Sequence, residues 1–375
     1  MRLAVVGILS AASLAAQDAP LAKGSVSFTM PDNSPVALMS YSTDQSRTSL
    51  VGAAVRVDFH MSLTLRNISA KRIHGITLKV VSQEVTLGGK ASVAWPSLNI
   101  GPDEVFAEHI DARLMRPTQM AGGPLVEVSL DGVLFQDLSF FGPDLLNSRR
   151  TMTAMEREAQ RDREYFKRIL AQGPAALKQA MIASLNQQAE PRLGVRVIPH
   201  GSAVTSAATA TPERAEQFAF LQMPDSPVQP VSGWAMVSGN EARAPRIEVR
   251  NTSSKAVKYV ELGWLVRDQA GKQYMAASLP ASDANLFLPA GKSAQMGQDT
   301  QLTFTREKKP VNIQGMTGFV SQVEFADGKV WVPNREGLAK LLLDKVMPPS
   351  AEEQRLSNLY VTKGVDALIL ELKKF

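Results

Sequence analysis

The sequence predicts a mainly β fold with helical segments: two antiparallel β-sandwiches from an internal duplication, each followed by one or two α-helices. Three observations lead there. Apolar and polar residues alternate strictly over 55–65, as they do in a strand with one buried and one wet face. The stretch Leu63-Thr-Leu-Arg-Asn-Ile-Ser-Ala-Lys-Arg-Ile73 recurs without a gap as Ile247-Glu-Val-Arg-Asn-Thr-Ser-Ser-Lys-Ala-Val257. The hydrophobic period also changes from two to about 3.6 after each block of strands.

Along the chain, Met1-Arg2 and the short apolar run to Ala16 read as a signal peptide over 1–17, with cleavage after Ala15 or after Gln17. The run is too short to span a bilayer, which takes about 20 residues. No later stretch is apolar enough to cross, so no membrane span is expected in the mature chain, which is placed in the periplasm or outside the cell. The first sandwich is expected over 24–145. Val26, Phe28 and Met30 share one strand face. Val55, Val57, Phe59, Met61, Leu63 and Leu65 share the next, and Ile76, Leu78 and Val80 follow the Asn67–Lys71 turn. Val126 to Leu130, Asp131-Gly132 and Val133 to Phe135 read as a hairpin, because Asp-Gly suits two-residue turns.

Helix is expected over 146–190. Met152, Met155, Ala159, Phe166 and Ile169 recur at helical spacing, the pairs Glu158/Arg161 and Glu164/Arg168 read as an exposed face, and Gly173-Pro174 separates two helices. Residues 195–216, rich in Ser, Thr and Ala, read as a linker. The second sandwich is expected over 217–335 and a helical segment over 336–375. Met223-Pro-Asp-Ser-Pro echoes Met30-Pro-Asp-Asn-Ser-Pro, and Val323 to Gly328 echoes Val126 to Gly132. Whether the helices cover the sandwiches or the seam between copies is left open.

Composition narrows function. The chain has 375 residues, a net charge of +5 and no cysteine. The missing cysteines rule out disulfides, thiolate metal sites, cysteine nucleophiles and a lipidated cysteine. The mild charge does not point to nucleic acid. No nucleophile elbow, phosphate loop, His-Glu-x-x-His or dinucleotide fingerprint is present. Asp58 and His60 share a strand face and are the local pair able to share a metal, but the second copy has Ala242 and Ala244 in those places, and the pair reads as a solvated face. The Asp-Gly pairs are turns before they are calcium loops. The sequons at Asn67 and Asn251 read as side chains bonding a turn's backbone.

The second copy, at Asn251-Thr-Ser, Val257, Tyr259-Val-Glu-Leu262, Asp268-Gln-Ala-Gly271 and Pro289-Ala-Gly-Lys292, resembles the FxLYD-type and related immunoglobulin-like (Ig-like) domains of exported bacterial proteins. The first copy keeps Asn67, Ser69 and Lys71 but has Ser82-Gln-Glu-Val in place of the Asp-x-x-Gly turn. The resemblance implies two Ig-like sandwiches in an extracytoplasmic setting, and carries over no catalytic residue, cofactor or metal.

The expectation is therefore an exported, non-enzymatic interaction or spacer module of the cell envelope, with an envelope protein or an extracellular polymer as partner. The alternative is a glycan- or polymer-binding module that uses exposed aromatics. An enzyme with a site between the copies ranks third. Candidate contact residues are Trp95 and Trp331, beside turns, and Met152, Met155 and Phe166 on the helical stripe.

Overall fold

A computed structural model describes residues 19–20, 25–84, 90–118, 122–188, 193–199, 212–281, 286–297 and 299–375. The expected signal peptide and residues 200–211 of the expected linker lie outside the described residues. Among these residues lie four sheets and four helices, with strand at 48% and helix at 22%, so the chain is mainly β with helical segments. It divides into two compact units, 1–149 and 150–375.

The first unit contains β1 (Ala19–Pro20), β2 (Val26–Thr29), β3 (Val36–Ser42), β4 (Arg47–Val51), β5 (Ala54–Asn67), β6 (Ile73–Ser82), β7 (Lys90–Trp95), β8 (Val105–Pro117), β9 (Val126–Phe135) and β10 (Phe140–Phe141). β5 is the centre of one sheet. It takes β3 and β4 end to end along one side and β8 along the other, and β1 extends β4. The second sheet runs β10-β9-β6-β7. Val57, Phe59, Met61, Leu63 and Leu65 of β5 are buried with Ile76, Leu78 and Val128 of that sheet in one core. One pair departs from the antiparallel expectation: β2 runs parallel to β9.

The second unit opens with α1 (Ser148–Leu170, whose first two residues close the first unit) and α2 (Pro174–Gln188). It continues through β11 (Leu193–Pro199), β12 (Arg214–Gln217), β13 (Ala219–Leu221), β14 (Val228–Ser238), β15 (Glu241–Asn251), β16 (Val257–Asp268), β17 (Gln273–Pro280), β18 (Ser293–Gly297), β19 (Thr300–Arg306), β20 (Lys309–Pro310), β21 (Ile313–Phe325) and β22 (Val330–Trp331). It ends with α3 (Arg335–Lys340) and α4 (Ala351–Leu372). One sheet runs β11-β19-β15-β14-β12, with β18 also on β15; the other runs β13-β21-β16-β17. Here too one early strand, β13, is parallel to its neighbour β21. Both described ends of the segment read as a linker are strand: β11 pairs with β19 and β12 with β14. In β12 the polar run Arg214-Ala-Glu-Gln217 suits a strand that buries little.

The repeated turn has the same wiring in both units. Asn67 is fully buried; its Nδ2 donates to the Lys71, Ile100 and Gly101 carbonyls, and its Oδ1 accepts from Ser69 N and Oγ. Asn251 is equally buried, donates to Lys255 and Leu288, and accepts from Ser253 N and Oγ. These bonds account for the recurrence of the sequons.

The Asp-Gly echo is misaligned. β9 runs unbroken through Asp131-Gly132, so there is no hairpin at that point. Asp131 is buried, and its carboxylate accepts from the Leu145 and Leu146 amides and from Ser148 Oγ at the start of α1. The counterpart of Asp327-Gly328 is Asp137-Leu138. Lys71 Nζ meets Asp137 at 2.8 Å and Lys255 Nζ meets Asp327 at 2.6 Å, and each lysine also lies over a phenylalanine ring, Phe135 or Phe325. Those pairs hold Asp137 and Asp327 below the usual carboxylate range.

The helices gather in the second unit. Phe166 of α1, Leu177 and Met181 of α2, and Leu356, Leu368 and Leu372 of α4 form one buried cluster. Ser350 caps α4 by accepting from Glu353 N, the arrangement its Ser-x-x-Glu spacing favours. α4 kinks at Gly364, whose φ of 84° a side chain would resist.

Candidate functional site: the clefts along helix α1

Helix α1 is not the simple amphipathic helix its sequence describes. Glu156, Asp162 and Arg163 are almost fully buried beside its apolar stripe. They are buried because α3 and α4 pack onto α1 and bring matching charges. Arg163 reaches Glu156 at 2.6 Å and Glu352 at 3.4 Å, and its guanidinium lies 4.0 Å from the Phe375 ring centroid. Arg335 bridges Asp162 and Glu353 and stacks 3.8 Å from the Tyr165 ring. Burial alone would raise the Asp162 carboxyl; Arg161 and Arg335 outweigh it and hold it low. Ions buried this way persist only when each is paired, so the network fixes how α1, α3 and α4 meet.

Three clefts open along the other side of α1, and Arg161 touches all of them. Its Nη1 donates to the Pro333 carbonyl and its Nε and Nη2 to Asp162. The first cleft, about 420 Å³, lies between Glu158 and Arg161 on one wall and Tyr274 and Arg306 on the other. Glu158 is raised above its usual carboxylate value by burial, which Arg161 only partly offsets. The second cleft, about 350 Å³, contains Met155 and Tyr259. The Tyr259 hydroxyl donates to Glu261 at 2.8 Å, and its ring lies 3.8 Å beneath the Arg150 guanidinium. Burial first, then Glu261, pushes the phenol's ionisation well above its ordinary value.

The third cleft is the widest, about 940 Å³, and Trp331 forms part of its wall. Arg157, Lys167, Arg168 and Lys329 line the same cleft, with Glu164 and Glu336 among them, and the half-buried Trp331 ring packs on its other side against the unit's core. A cleft lined by an indole edge and several cations suits a negatively charged partner, to which the cations offer charge-assisted hydrogen bonds.

The five contact residues expected from the sequence are scattered. Trp331 and Met155 line clefts. Met152 and Phe166 are buried, and α2 and α4 already cover Phe166. Trp95 is half-buried at the end of β7 in the first unit, opposite Ile76 and against that unit's own core. Asp58 is held by Arg56 and Arg113, and His60 by Asp111. Among the described residues no three metal-ligating side chains converge. Sequence reasoning missed Lys329, two residues from Trp331, and Arg157, Lys167 and Arg168 of α1, which share its cleft only because distant parts of the chain come together and so leave no local signal.

No family model matches the chain, and no curated protein matches it. Among solved structures, it is similar to a structural-genomics target, SoR45, at 14% identity, covering 32% of this chain and 78% of that one with a TM-score of 0.17. It is also similar to red sea bream transglutaminase, at 9% identity over 76% of this chain and 31% of the enzyme, with a TM-score of 0.14. Likeness this slight carries neither a fold nor an activity to the chain.

Proposed function

We propose that the chain is an exported, non-enzymatic Ig-like protein that acts as an interaction or spacer module in the cell envelope, built from one ancestral unit copied once. The observation that carries this reading is where the polar groups are spent. Asn67, Asn251, Asp131, Glu156, Asp162 and Arg163 are buried and committed to holding strands and helices in place. A reaction centre instead needs titratable groups that converge on an open site. The recurrence of the Asn turn, the Lys–Asp pair and one parallel strand in both units supports the duplication. Two measurements on the native host test the reading: the mature N-terminus by mass spectrometry and the compartment by fractionation. A chain that keeps Met1 and stays in the cytoplasm would overturn it.

The Trp331 cleft favours a second reading, an acidic-polymer binder. Tryptophan fluorescence should then change on titration with polygalacturonate but not with neutral dextran. The change should vanish in Trp331→Ala, weaken in Arg157→Ala/Arg168→Ala, and fall as salt rises. An equal response to both polymers, or one that survives Trp331→Ala, would rule out this cleft.

A further inference from the structure

Among the described residues β8 is hydrogen-bonded on one side alone, to β5, along the whole of Val105–Pro117. A long open edge is a template for another strand. The second unit shows such an edge occupied. β19 stands on β15 as the C-terminal half of β8 stands on β5, and β19 carries β11 on its far side, in register from Leu193 opposite Arg306 to Pro199 opposite Thr300.

We propose that the β8 edge is a self-association surface, where β8 of one chain pairs antiparallel with β8 of a second copy about a two-fold axis through Ala112. The occupant is a second copy because the strand is complementary to itself. With Ala112 opposite Ala112, Asp111 faces Arg113 of the second copy, and the symmetry makes that pair twice. On the core side Ile110 faces Leu114 and Glu108 faces Arg116, again twice. Directly opposed side chains lie about 5 Å apart, close enough for each pair to stabilise the ladder.

Asp111 and Arg113 each have one partner within the sheet, Asp111 meeting His60 through Oδ1 and Arg113 meeting Asp58 through Nε. Their side chains are 70% and 73% exposed, so the second carboxylate oxygen and the terminal guanidinium nitrogens can serve a further partner. Glu108 has no hydrogen bond or ion pair among the described residues, although it faces the core side of the sheet. A charge on the core side of an edge strand ordinarily blocks further pairing. Here the block acts against every antiparallel register except the one that brings Arg116 opposite. The interface is isologous and closes at two chains.

The test is sedimentation equilibrium on the full mature chain and charge variants, with circular dichroism to confirm folding. A strand pair alone lies at the small end of stable interfaces, so the wild type should be a dimer that dissociates on dilution. Asp111→Arg and Arg113→Asp each set like charges opposite one another and should be monomeric. The double variant Asp111→Arg/Arg113→Asp restores the pairs and should be a dimer again. The chain has no cysteine, so Ala112→Cys supplies a single reporter; it should oxidise to a disulfide-linked dimer, and Asn358→Cys should not. A wild type that stays monomeric up to about 1 mM, single variants that dimerise as well as the wild type, a double variant that remains monomeric, or an Ala112→Cys chain that does not cross-link would each overturn the proposal. None of these outcomes bears on export or on the envelope role, which the compartment measurement decides separately.

Discussion

Asn67 and Asn251 show how one side chain can hold a turn. Each is fully buried and bonds backbone groups from two separate segments. Replacement by alanine strands buried carbonyls without donors, so Asn251→Ala should cost about 2–4 kcal/mol in chemical denaturation. Asn251→Asp should cost nearly as much, because a carboxylate keeps the acceptor and loses the donors. Glu108 is the opposite case, a side chain that weakens its own fold. It stands opposite Leu63, where the second unit sets the buried Met296 opposite Ile247. Burial pushes its carboxyl from the model-peptide value of 4.5 up to about 7. A raised carboxyl pKa means the folded chain binds the proton more tightly than the unfolded one. The contribution is therefore full below about pH 4.5 and is lost as pH rises through about 7, by an amount on the order of 2 kcal/mol once solvent screening of a half-buried group is allowed for. Glu108→Met should abolish that slope and raise stability at pH 8, measured by urea denaturation at a concentration low enough to keep chains apart. Gly263 is constrained by contact instead: a Cβ there would overlap the Phe319 ring.

At the scale of the element, α1 shows what periodicity cannot reveal. Its apolar stripe is legible, and Met152 and Phe166 are buried as a stripe requires. Glu156, Asp162 and Arg163 look like an ordinary solvated face until α3 and α4 cover them. Removing one partner of a buried pair leaves the other uncompensated. Arg163→Ala should therefore cost about 3–5 kcal/mol in thermal or urea unfolding. The double replacement Glu156→Leu/Arg163→Met should cost far less, since Glu352 keeps Arg355 at 2.8 Å and no lone charge is left behind. A double variant as damaged as the single one would show that the pair's geometry matters more than its charge. The Asp-Gly signals split for a similar reason. The same two residues make a hairpin turn at Asp327-Gly328 and the middle of a strand at Asp131-Gly132, where the start of α1 supplies the amides and hydroxyl that let Asp131 be buried.

For the whole molecule, local pattern was enough to declare mainly β structure with helices, the alternating strand over 55–65, the paired turns at Asn67 and Asn251, and the break between α1 and α2. Those features depend on alternation, on turn chemistry and on the absence of proline from helix interiors, and all three are written in neighbouring residues. Only the folded chain decided that β2 and β13 run parallel to their neighbours and that β11 joins a sheet. It also decided that the helices after the first strands pack with the C-terminal helix, that cations of α1 share a cleft with Trp331, and that among the described residues one edge of β8 carries no strand. Each of these joins residues far apart in the chain, and no short stretch of sequence records which distant surface it will meet.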